Sequence, residues 1–283
     1  MKLVRYGKPG KEKPGVIDAK GKLRDASDIV PDWNGAHLHH KHIKRVAKAL
    51  KAGDLPAVRG EPRLGSCVGQ PGNFIAVGLN YADHAAESGQ PVPAEPILFN
   101  KAPNCVSGPN DDIVVPKNSK KLDWEVELGF VIGKRASYVS ESEALDYVAG
   151  FCLANDVSER EFQLERAGNW MKGKSAPTFG PLGPWLVTPD EIGDVQSLDM
   201  WLDVNGERMQ TGNTKTMIFN VRTIIAYISQ FMTLEPGDVI VTGTPPGVGA
   251  GKKPPVFLKA GDTIRLGIAG LGEQAGRVVA YNG

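Results

Sequence analysis

Several features that mark particular classes of protein are scarce in this chain of 283 residues. Its three cysteines, Cys67, Cys105 and Cys152, are widely spaced and form no Cys-x-x-Cys pair. Neither a disulfide framework nor a thiolate zinc site is therefore indicated. Charge of one sign is also lacking, since 33 basic and 32 acidic side chains leave a formal charge of +1. A surface for nucleic acid has no global electrostatic support.

Long apolar runs are missing as well. The longer ones, such as residues 74–79 and 129–132, fall far short of the roughly 20 residues that cross a bilayer. The first eight residues, MKLVRYGK, carry charges where a secretion signal needs an apolar run. These absences predict a cytoplasmic protein that has reduced thiols and does not span a membrane.

What the chain does contain predicts a β-rich α+β protein. Short strand-like runs and one basic amphipathic helix predict a small α/β domain over residues 1–68. A larger domain over residues 69–283 follows, built from short apolar runs bounded by Gly and Pro. Its predicted strands cover residues 74–79, 112–115, 124–132, 198–204, 238–242, 263–268 and 277–281. Helices are predicted at residues 38–50, 81–87, 141–146, 158–167 and 221–232.

Two motifs suggest functions that their context does not support. Residues 168–175 match the G-x-x-x-x-G-K-[ST] phosphate-loop motif. A phosphate loop follows a strand and begins a helix, but here a helical pattern precedes the motif and prolines follow it at 177 and 181. Residues 37–42 hold four of the five histidines, interleaved with basic residues. We interpret the first match as accidental and the histidines as one face of a solvated basic helix.

Acidic and apolar side chains alternate over residues 121–130. Because side chains in a strand alternate between faces, Asp123, Glu125 and Glu127 share one face of the predicted strand. The simple interpretation is a strand with one solvated face, which is ordinary behaviour in antiparallel sheets.

A further carboxylate, Asp156, ends the apolar run of residues 148–156, at the predicted tip of a buried strand. A buried carboxylate needs a cation or a hydrogen-bonded partner. Together with Glu125 and Glu127 it would supply three oxygen ligands, which suit a hard divalent ion with open positions for water or substrate. Mg²⁺ is the natural choice and Mn²⁺ is close behind, whereas zinc would require His or Cys ligands.

A candidate general base lies on a short predicted helix. Asn80 and Asp83 resemble a helix N-cap box, which places His84 and Glu87 on one face, three residues apart. Glu87 can then orient His84 to take a proton from water at neutral pH. A surface helix with a casual ion pair explains the same residues equally well.

Five segments occur in order along residues 70–280. They are GLNYADH at 78–84, DWEVEL at 123–128, NDVSER at 155–160, KGK at 172–174 with GPW at 183–185, and TGTPPGVG at 242–249. This set closely resembles the fumarylacetoacetate hydrolase (FAH) superfamily. The resemblance implies a mixed β-sandwich roll with the active site at its mouth, assembled as a homodimer.

The resemblance also implies residue roles. These are Mg²⁺ ligation for Glu125, Glu127 and Asp156, water activation for His84 and Glu87 on a lid, an active-site lysine at Lys174, and contacts to the carboxylate and oxo groups of an oxo-acid substrate for Arg160, Gln163 and Thr244. The sequence is more similar to the shorter acylpyruvase-like members than to fumarylacetoacetase itself, and its opening and residues 151–179 look similar to members that hydrolyse 2,4-diketo-3-deoxy sugar acids.

The implied activity is Mg²⁺-dependent hydrolysis of a C–C bond in a 2,4-dioxo acid, giving pyruvate and a carboxylic acid. Both an acylpyruvate and a 2,4-diketo-3-deoxy sugar acid fit as substrates. Within the same superfamily the alternatives are isomerisation of a hydroxymuconate, decarboxylation of oxaloacetate and a ureidoglycolate lyase-like activity. A non-catalytic or nucleotide-binding module is the alternative of a different class.

Overall fold

The computed structural model describes residues 1–87 and 89–282. Its strands, in chain order, are β1 (Lys2–Tyr6), β2 (Lys13–Ile17), β3 (Leu23–Asp25), β4 (Phe74–Gly78), β5 (Ile97–Lys101), β6 (Val106–Ser107), β7 (Ile113–Val114), β8 (Leu122–Asp123), β9 (Val126–Ile132), β10 (Val148–Asn155), β11 (Ser158–Glu159), β12 (Gly180–Pro181), β13 (Leu186–Val187), β14 (Asp199–Val204), β15 (Glu207–Asn213), β16 (Val239–Val241), β17 (Thr263–Ile268) and β18 (Gly272–Val279). The helices are α1 (His40–Ala52), α2 (Ala82–Glu87), α3 (Met171–Lys174) and α4 (Val221–Phe231), with a π-helical turn over Glu161–Glu165.

A nine-stranded sheet in the order β3-β2-β1-β13-β10-β9-β16-β4-β5 forms the body of the protein. Its strands β16 and β4 run parallel, and the other neighbours are antiparallel. Every residue of the central strands β9 and β10 is buried. Strands covered on both faces carry continuous apolar runs, which explains their composition. Glu127 in β9 is therefore an acidic side chain inside a fully buried strand.

A second sheet, ordered β15-β14-β17-β18-β7, packs against this centre. Strands β14 and β17 contact β9, and β18 contacts β10. Along β14 the apolar side chains of Met200, Leu202 and Val204 are buried, while the residues between them are more exposed. This two-residue period is typical of a sheet with one covered face. The two layers confirm the predicted α+β, β-rich sandwich.

Residues 1–68 contribute to the same large sheet. Strand β1 pairs with β13, with Leu3 opposite Leu186. Helix α1 begins after His39, whose side chain accepts a hydrogen bond from the Lys41 amide, and ends at Gly53 in the left-handed conformation that favours glycine. A domain boundary at residue 68 stays a prediction.

The predicted strand 124–132 is interrupted before β9. Side chains satisfy the backbone here: the Glu125 amide donates to Asn155 Oδ1, and the Val126 amide donates to Gln210 Oε1. A neighbouring strand cannot bond the same amides, so the ladder breaks between Asp123 and Val126.

The predicted helices at 141–146 and 158–167 are wrong. The first is a 3₁₀ turn at Ala144–Tyr147. At the second, β11 precedes a π-helical turn over Glu161–Glu165, and the Glu159 side chain accepts a hydrogen bond from the Phe162 amide. Among the described strands longer than two residues, β5 and β15 were not predicted. No helix in residues 1–87 and 89–282 combines the length and apolar character needed to cross a bilayer.

Candidate metal centre and active site

Three acidic side chains from distant parts of the sequence meet where β9 begins and β10 ends. In this antiparallel pair Val126 lies opposite Asn155. The register brings Asp156 beside Glu125, whose carbonyl oxygen accepts a 2.9 Å hydrogen bond from the Asp156 amide. Ligand oxygens of Glu125, Glu127 and Asp156 all lie within 4.8 Å of one another.

The interpretation of this segment as a strand with a solvated face is wrong. Asp123, Glu125 and Glu127 are only 0%, 5% and 2% exposed. Asp123 shares Arg160 with Glu125, since its Oδ2 accepts from Arg160 Nε at 2.8 Å, but it also accepts from the Gly249 amide at 2.7 Å and from the Ala250 amide at 3.0 Å. Asp123 therefore holds a turn beside the acidic cluster.

Buried cations surround the cluster. The ammonium of Lys174 donates to Glu125 Oε2 at 2.7 Å and to Asp156 Oδ2 at 2.8 Å. Lys101 Nζ donates to Asp156 Oδ1 at 2.5 Å. Arg160 Nη2 donates to Glu125 Oε1 at 2.6 Å. Removing such charges from water is costly, so these pairs persist only because each partner is bonded.

The charges of this region do not balance. The acidic cluster and the groups bonded to it through Lys101, Lys174 and Arg160 comprise the four carboxylates of Asp123, Glu125, Glu127 and Asp156 and three cations, so full ionisation would leave one excess negative charge. When ionised, Glu127 is the carboxylate without a cationic partner, since its Oε2 accepts from the Gly243 amide at 2.7 Å rather than from a cation. Burial raises the pKa of Glu127 well above its usual value, and the neighbouring carboxylates of Asp156 and Glu125 raise it further.

Glu125 shows the opposite balance. Burial opposes its ionisation, but the guanidinium of Arg160 and the ammonium of Lys174 outweigh burial and lower its pKa to about 2. In turn, Asp156 and Glu125 raise the pKa of Lys174 although burial opposes its charge. Glu127 is therefore the carboxylate that gains most from an added cation.

This donor set fits a hard divalent cation such as Mg²⁺ or Mn²⁺. All three groups offer oxygen, which such ions prefer. In the described contacts each carboxylate oxygen of Glu125, Glu127 and Asp156 accepts no more than one hydrogen bond, so lone pairs remain for a metal. The excess negative charge favours a cation at the same place.

The predicted pair on α2 is in contact. His84 Nδ1 lies 3.0 Å from Glu87 Oε2. Because an ionised carboxylate only accepts hydrogen bonds, this contact places the proton on Nδ1 and leaves Nε2 to accept another. Glu87 also accepts from the Gly247 amide at 3.1 Å. The pair therefore anchors α2 to the turn that Asp123 holds at Gly249.

Asn80 does not cap this helix, so that part of the prediction is wrong. Its Oδ1 accepts from the Phe219 amide and its Nδ2 donates to the Thr242 carbonyl, each at 2.8 Å. The buried side chain instead ties the end of β4 to the residue after β16. These hydrogen bonds of Asn80 therefore fix the backbone just before α2.

The residues for which the resemblance implies substrate contacts lie beside the cluster. Some of their polar atoms already form hydrogen bonds within the protein. Arg160 Nη1 donates to Gln163 Oε1 at 3.0 Å. The hydroxyl of Thr244 donates to the Val126 carbonyl at 2.9 Å and accepts from Gln210 Nε2 at 2.8 Å. Contact of Arg160, Gln163 and Thr244 with a substrate stays a prediction.

Sequence analysis missed two residues that position the site, Lys101 and Gln210. Lys101 ends the missed strand β5, where the alternation of ILFNK places it on one face with Phe99 and Ile97. Gln210 lies in the missed strand β15 and holds Val126 and Thr244 through its two polar atoms. The ILFNK alternation was the available signal for Lys101, whereas a lone glutamine offers none.

The two motifs set aside above have other contexts. Residues 168–175 follow a π-helical turn and contain α3, so no strand leads into them as a phosphate loop requires. The ammonium of Lys174 faces carboxylates instead. Within the part of the chain that is described, no histidine belongs to a group of three ligand atoms close enough to share an ion.

The fold and the cluster define a β-sandwich protein with an all-oxygen centre suited to a divalent cation. The model of the fumarylacetoacetate (FAA) hydrolase C-terminal family matches residues 73–279. The chain belongs to the fumarylacetoacetate hydrolase family. A protein of Burkholderia multivorans that is provisionally named a hydrolase is 62% identical over 97% of this chain and 97% of its own length.

Solved structures of several named enzymes share this fold. Fumarylacetoacetate hydrolase of the psychrophile Exiguobacterium antarcticum is 36% identical, with a TM-score of 0.86 over 99% of this chain and 100% of its own. Maleylpyruvate hydrolase of Sphingobium sp. SYK-6 is 30% identical, with a TM-score of 0.81 over 99% and 100%. A 5-carboxymethyl-2-hydroxymuconate delta-isomerase of Mycobacterium smegmatis is 30% identical, with a TM-score of 0.79 over 100% of both chains. These names include both hydrolases and an isomerase.

Proposed function

We propose that the protein is an Mg²⁺-dependent hydrolase that cleaves the C3–C4 bond of a 2,4-dioxo acid, giving pyruvate and a carboxylic acid. One observation carries the proposal. The turn after β16 is held at Gly247 by Glu87 of the His84 pair and at Gly249 by Asp123 beside the acidic cluster. A general base and a cation centre are thus built onto the same few residues, as hydrolysis next to a chelating head group requires.

The cluster suits the head of such a substrate. Mg²⁺ bound there would polarise the C2 oxo group and stabilise the negative charge that develops on the departing pyruvate fragment. Lys174 and Arg160 have pKa values raised by the surrounding carboxylates against the effect of burial, so both stay protonated. They supply fixed positive charge for the substrate carboxylate from buried positions, where charge is less screened than in water.

His84 serves as the general base in this proposal. Glu87 holds the Nδ1 proton, so Nε2 takes a proton from a water molecule that attacks the C4 carbonyl carbon. The tetrahedral intermediate then breaks its C3–C4 bond, and the bonding electrons pass into the enolate of pyruvate. A proton added at C3 completes pyruvate, while C4 leaves as the carboxylic acid.

Isomerisation of a hydroxymuconate at the same centre is a second candidate. A histidine held by a carboxylate can move a proton between two carbons as well as from water, and one solved relative carries an isomerase name. A panel of acylpyruvates, oxaloacetate and hydroxymuconates, with products identified by mass, separates the two. Release of pyruvate from acylpyruvates supports the proposal, and conversion of hydroxymuconates alone contradicts it.

The role of His84 has its own test. We expect His84→Ala to lower kcat on an acylpyruvate at least about 100-fold while binding of oxalate, a mimic of the pyruvate enolate, changes little. His40→Ala, at an exposed histidine of α1, is the matched control and should keep full activity. Equal loss of turnover and oxalate binding in His84→Ala would show that His84 only holds the ligand.

A further inference from the structure

Strand β5 leads from the acidic cluster towards solvent. Lys101 at its end reaches Asp156, and with a two-residue period Phe99 and Ile97 face the same side. The ring centroid of Phe99 lies 5.2 Å from Lys174 Nζ. Exposure grows along this face, because Lys101 is 1% exposed and Ile97 38%. One side of β5 therefore runs from the buried cluster to the exposed end of the strand.

Trp170 extends this side into an apolar wall. Its ring packs edge-on against Phe99, with centroids 5.2 Å apart. It also lies over Gly78, the residue opposite Ile97 in the sheet, where an added Cβ would approach the indole to 2.6 Å. Only glycine at position 78 leaves room for Trp170 there. Since Gly78 ends the strand that precedes α2, the wall stands near the element that bears His84.

A cavity of about 600 Å³ lies against this wall. Its apolar lining includes Ile97, Leu98, Phe99, Trp170 and Met171. Its polar side chains, Asn100 and Asn169, are exposed, and Asn169 Oδ1 already accepts a hydrogen bond from the Met171 amide. Phe99, which lies beside Lys174, links this cavity to the surroundings of the cluster, and most of the other side chains that line the cavity are apolar.

We propose that this cavity receives the substrate tail and that its wall selects acylpyruvates with hydrocarbon tails over sugar acids with hydroxylated tails. The inference rests on the proposed function and names its substrate class. The four-residue step from Lys101 to Ile97 spans about 13 Å, enough for the dioxo head and a tail of several carbons. Hydroxyl groups placed against Ile97 and Phe99 would leave water without gaining partners.

Straight-chain 2-oxo acids test the cavity apart from turnover. The series from pyruvate to 2-oxooctanoate keeps the head group but has no 4-oxo group, so C3–C4 hydrolysis does not occur. With Mg²⁺ present, we expect affinity measured by calorimetry to rise about fourfold per methylene until the cavity is filled. In Ile97→Thr, which keeps the branched shape but adds a hydroxyl, the rise should flatten, with the largest loss for the longest acids.

Met232→Thr is the matched control. Met232 follows α4 and is 39% exposed, close to the 38% of Ile97, so its substitution should leave the whole series unchanged. Thermal unfolding of both variants checks that they are folded.

The outcomes separate this inference from the proposed function. Affinity that does not grow with chain length, or equal weakening of pyruvate and 2-oxooctanoate in Ile97→Thr, overturns the tail assignment. Higher kcat/KM for a 2,4-diketo sugar acid than for hexanoylpyruvate overturns the substrate class. If affinity grows as expected but no 2,4-dioxo acid is cleaved, the proposed function fails and the tail pocket stands.

Discussion

Substitution of Glu125 and of Glu127, which are two residues apart, should change the stability of the metal-free protein in opposite directions. Glu125 accepts hydrogen bonds from Arg160 and Lys174, whereas Glu127 accepts one from a backbone amide and has no cationic partner. We expect Glu125→Gln to destabilise the metal-free protein near neutral pH. Glu127→Gln should stabilise it, because the amide oxygen still accepts from Gly243 and glutamine has no carboxyl group that ionises more readily in the unfolded chain than in the folded protein.

The size of the first effect follows from two independent arguments. The fall in the pKa of Glu125 from 4.5 to about 2 is worth about 3 kcal/mol, since one pKa unit is about 1.4 kcal/mol. Removing one partner of a buried ion pair costs about 3–5 kcal/mol. For Glu127, each pH unit between its usual pKa and its raised pKa removes up to about 1.4 kcal/mol from the stability of the unsubstituted protein.

The pH dependence has opposite signs at the two positions. The pKa of Glu127 is raised on folding, so its contribution to stability is full below 4.5 and is lost as the pH rises through the raised pKa. The advantage of Glu127→Gln should therefore grow with pH and vanish below about 4.5. The pKa of Glu125 is lowered, so its contribution is present above 4.5 and is lost as the pH falls towards about 2. The deficit of Glu125→Gln should shrink in acid.

Urea unfolding in the presence of a chelator, at several pH values, measures both effects. Glu207→Gln, at an exposed glutamate of β15, is the control and should change the free energy of unfolding by less than about 0.5 kcal/mol. In excess Mg²⁺ the unsubstituted protein should become more stable than Glu127→Gln, because only the unsubstituted cluster gains the full free energy of metal binding. If Glu127→Gln is as unstable as Glu125→Gln without metal at every pH, the charge argument is wrong.

Three further outcomes are expected. Lys174→Met removes an ammonium beside Glu125 and Asp156, so calorimetry should show about tenfold tighter Mn²⁺ binding while turnover is lost; weaker Mn²⁺ binding would contradict this. Affinity for Mn²⁺ should fall about tenfold per unit of decreasing pH below the raised pKa of Glu127, because the ion displaces one proton, and a flat profile would contradict the assignment. Lys101→Met leaves Asp156 without its second cation and should lower the free energy of unfolding by about 3 kcal/mol in urea titrations, whereas an unchanged value would show that the pair is dispensable.

The elements that the sequence predicts well are those whose pattern is local. Helix α4 was expected at 221–232 and spans Val221–Phe231, and its N-cap Asn220 accepts from the Thr223 amide. Predicted elements fail where side chains replace backbone partners. The strand predicted at 124–132 breaks because Asn155 and Gln210, both far away in sequence, bond its amides. No local pattern contains that information.

The candidate site shows the same limit. Alternation correctly places Glu125 and Glu127 on one side of the segment, and the apolar run correctly brings Asp156 to the tip of a buried strand. Alternation cannot say whether water or protein covers the acidic side, which is why the solvated-face interpretation failed. Lys101 was missed for a related reason, since a lysine after a short apolar run is usually a solvated strand end.

The net charge of the cluster should couple the binding of a divalent cation to the binding of an anionic head group. Without a metal the cluster is neutral while Glu127 is protonated and carries one excess negative charge once Glu127 ionises, whereas a bound divalent cation would leave one positive charge that attracts an anionic head group. Metal and oxalate should therefore strengthen each other's binding by the same factor, whichever is titrated first. In Lys174→Met the metal-loaded cluster is neutral, so oxalate should bind more weakly although the metal binds more tightly. Opposite shifts for two ligands at one residue cannot arise from simple loss of folding, so this pair of titrations tests the charge balance itself.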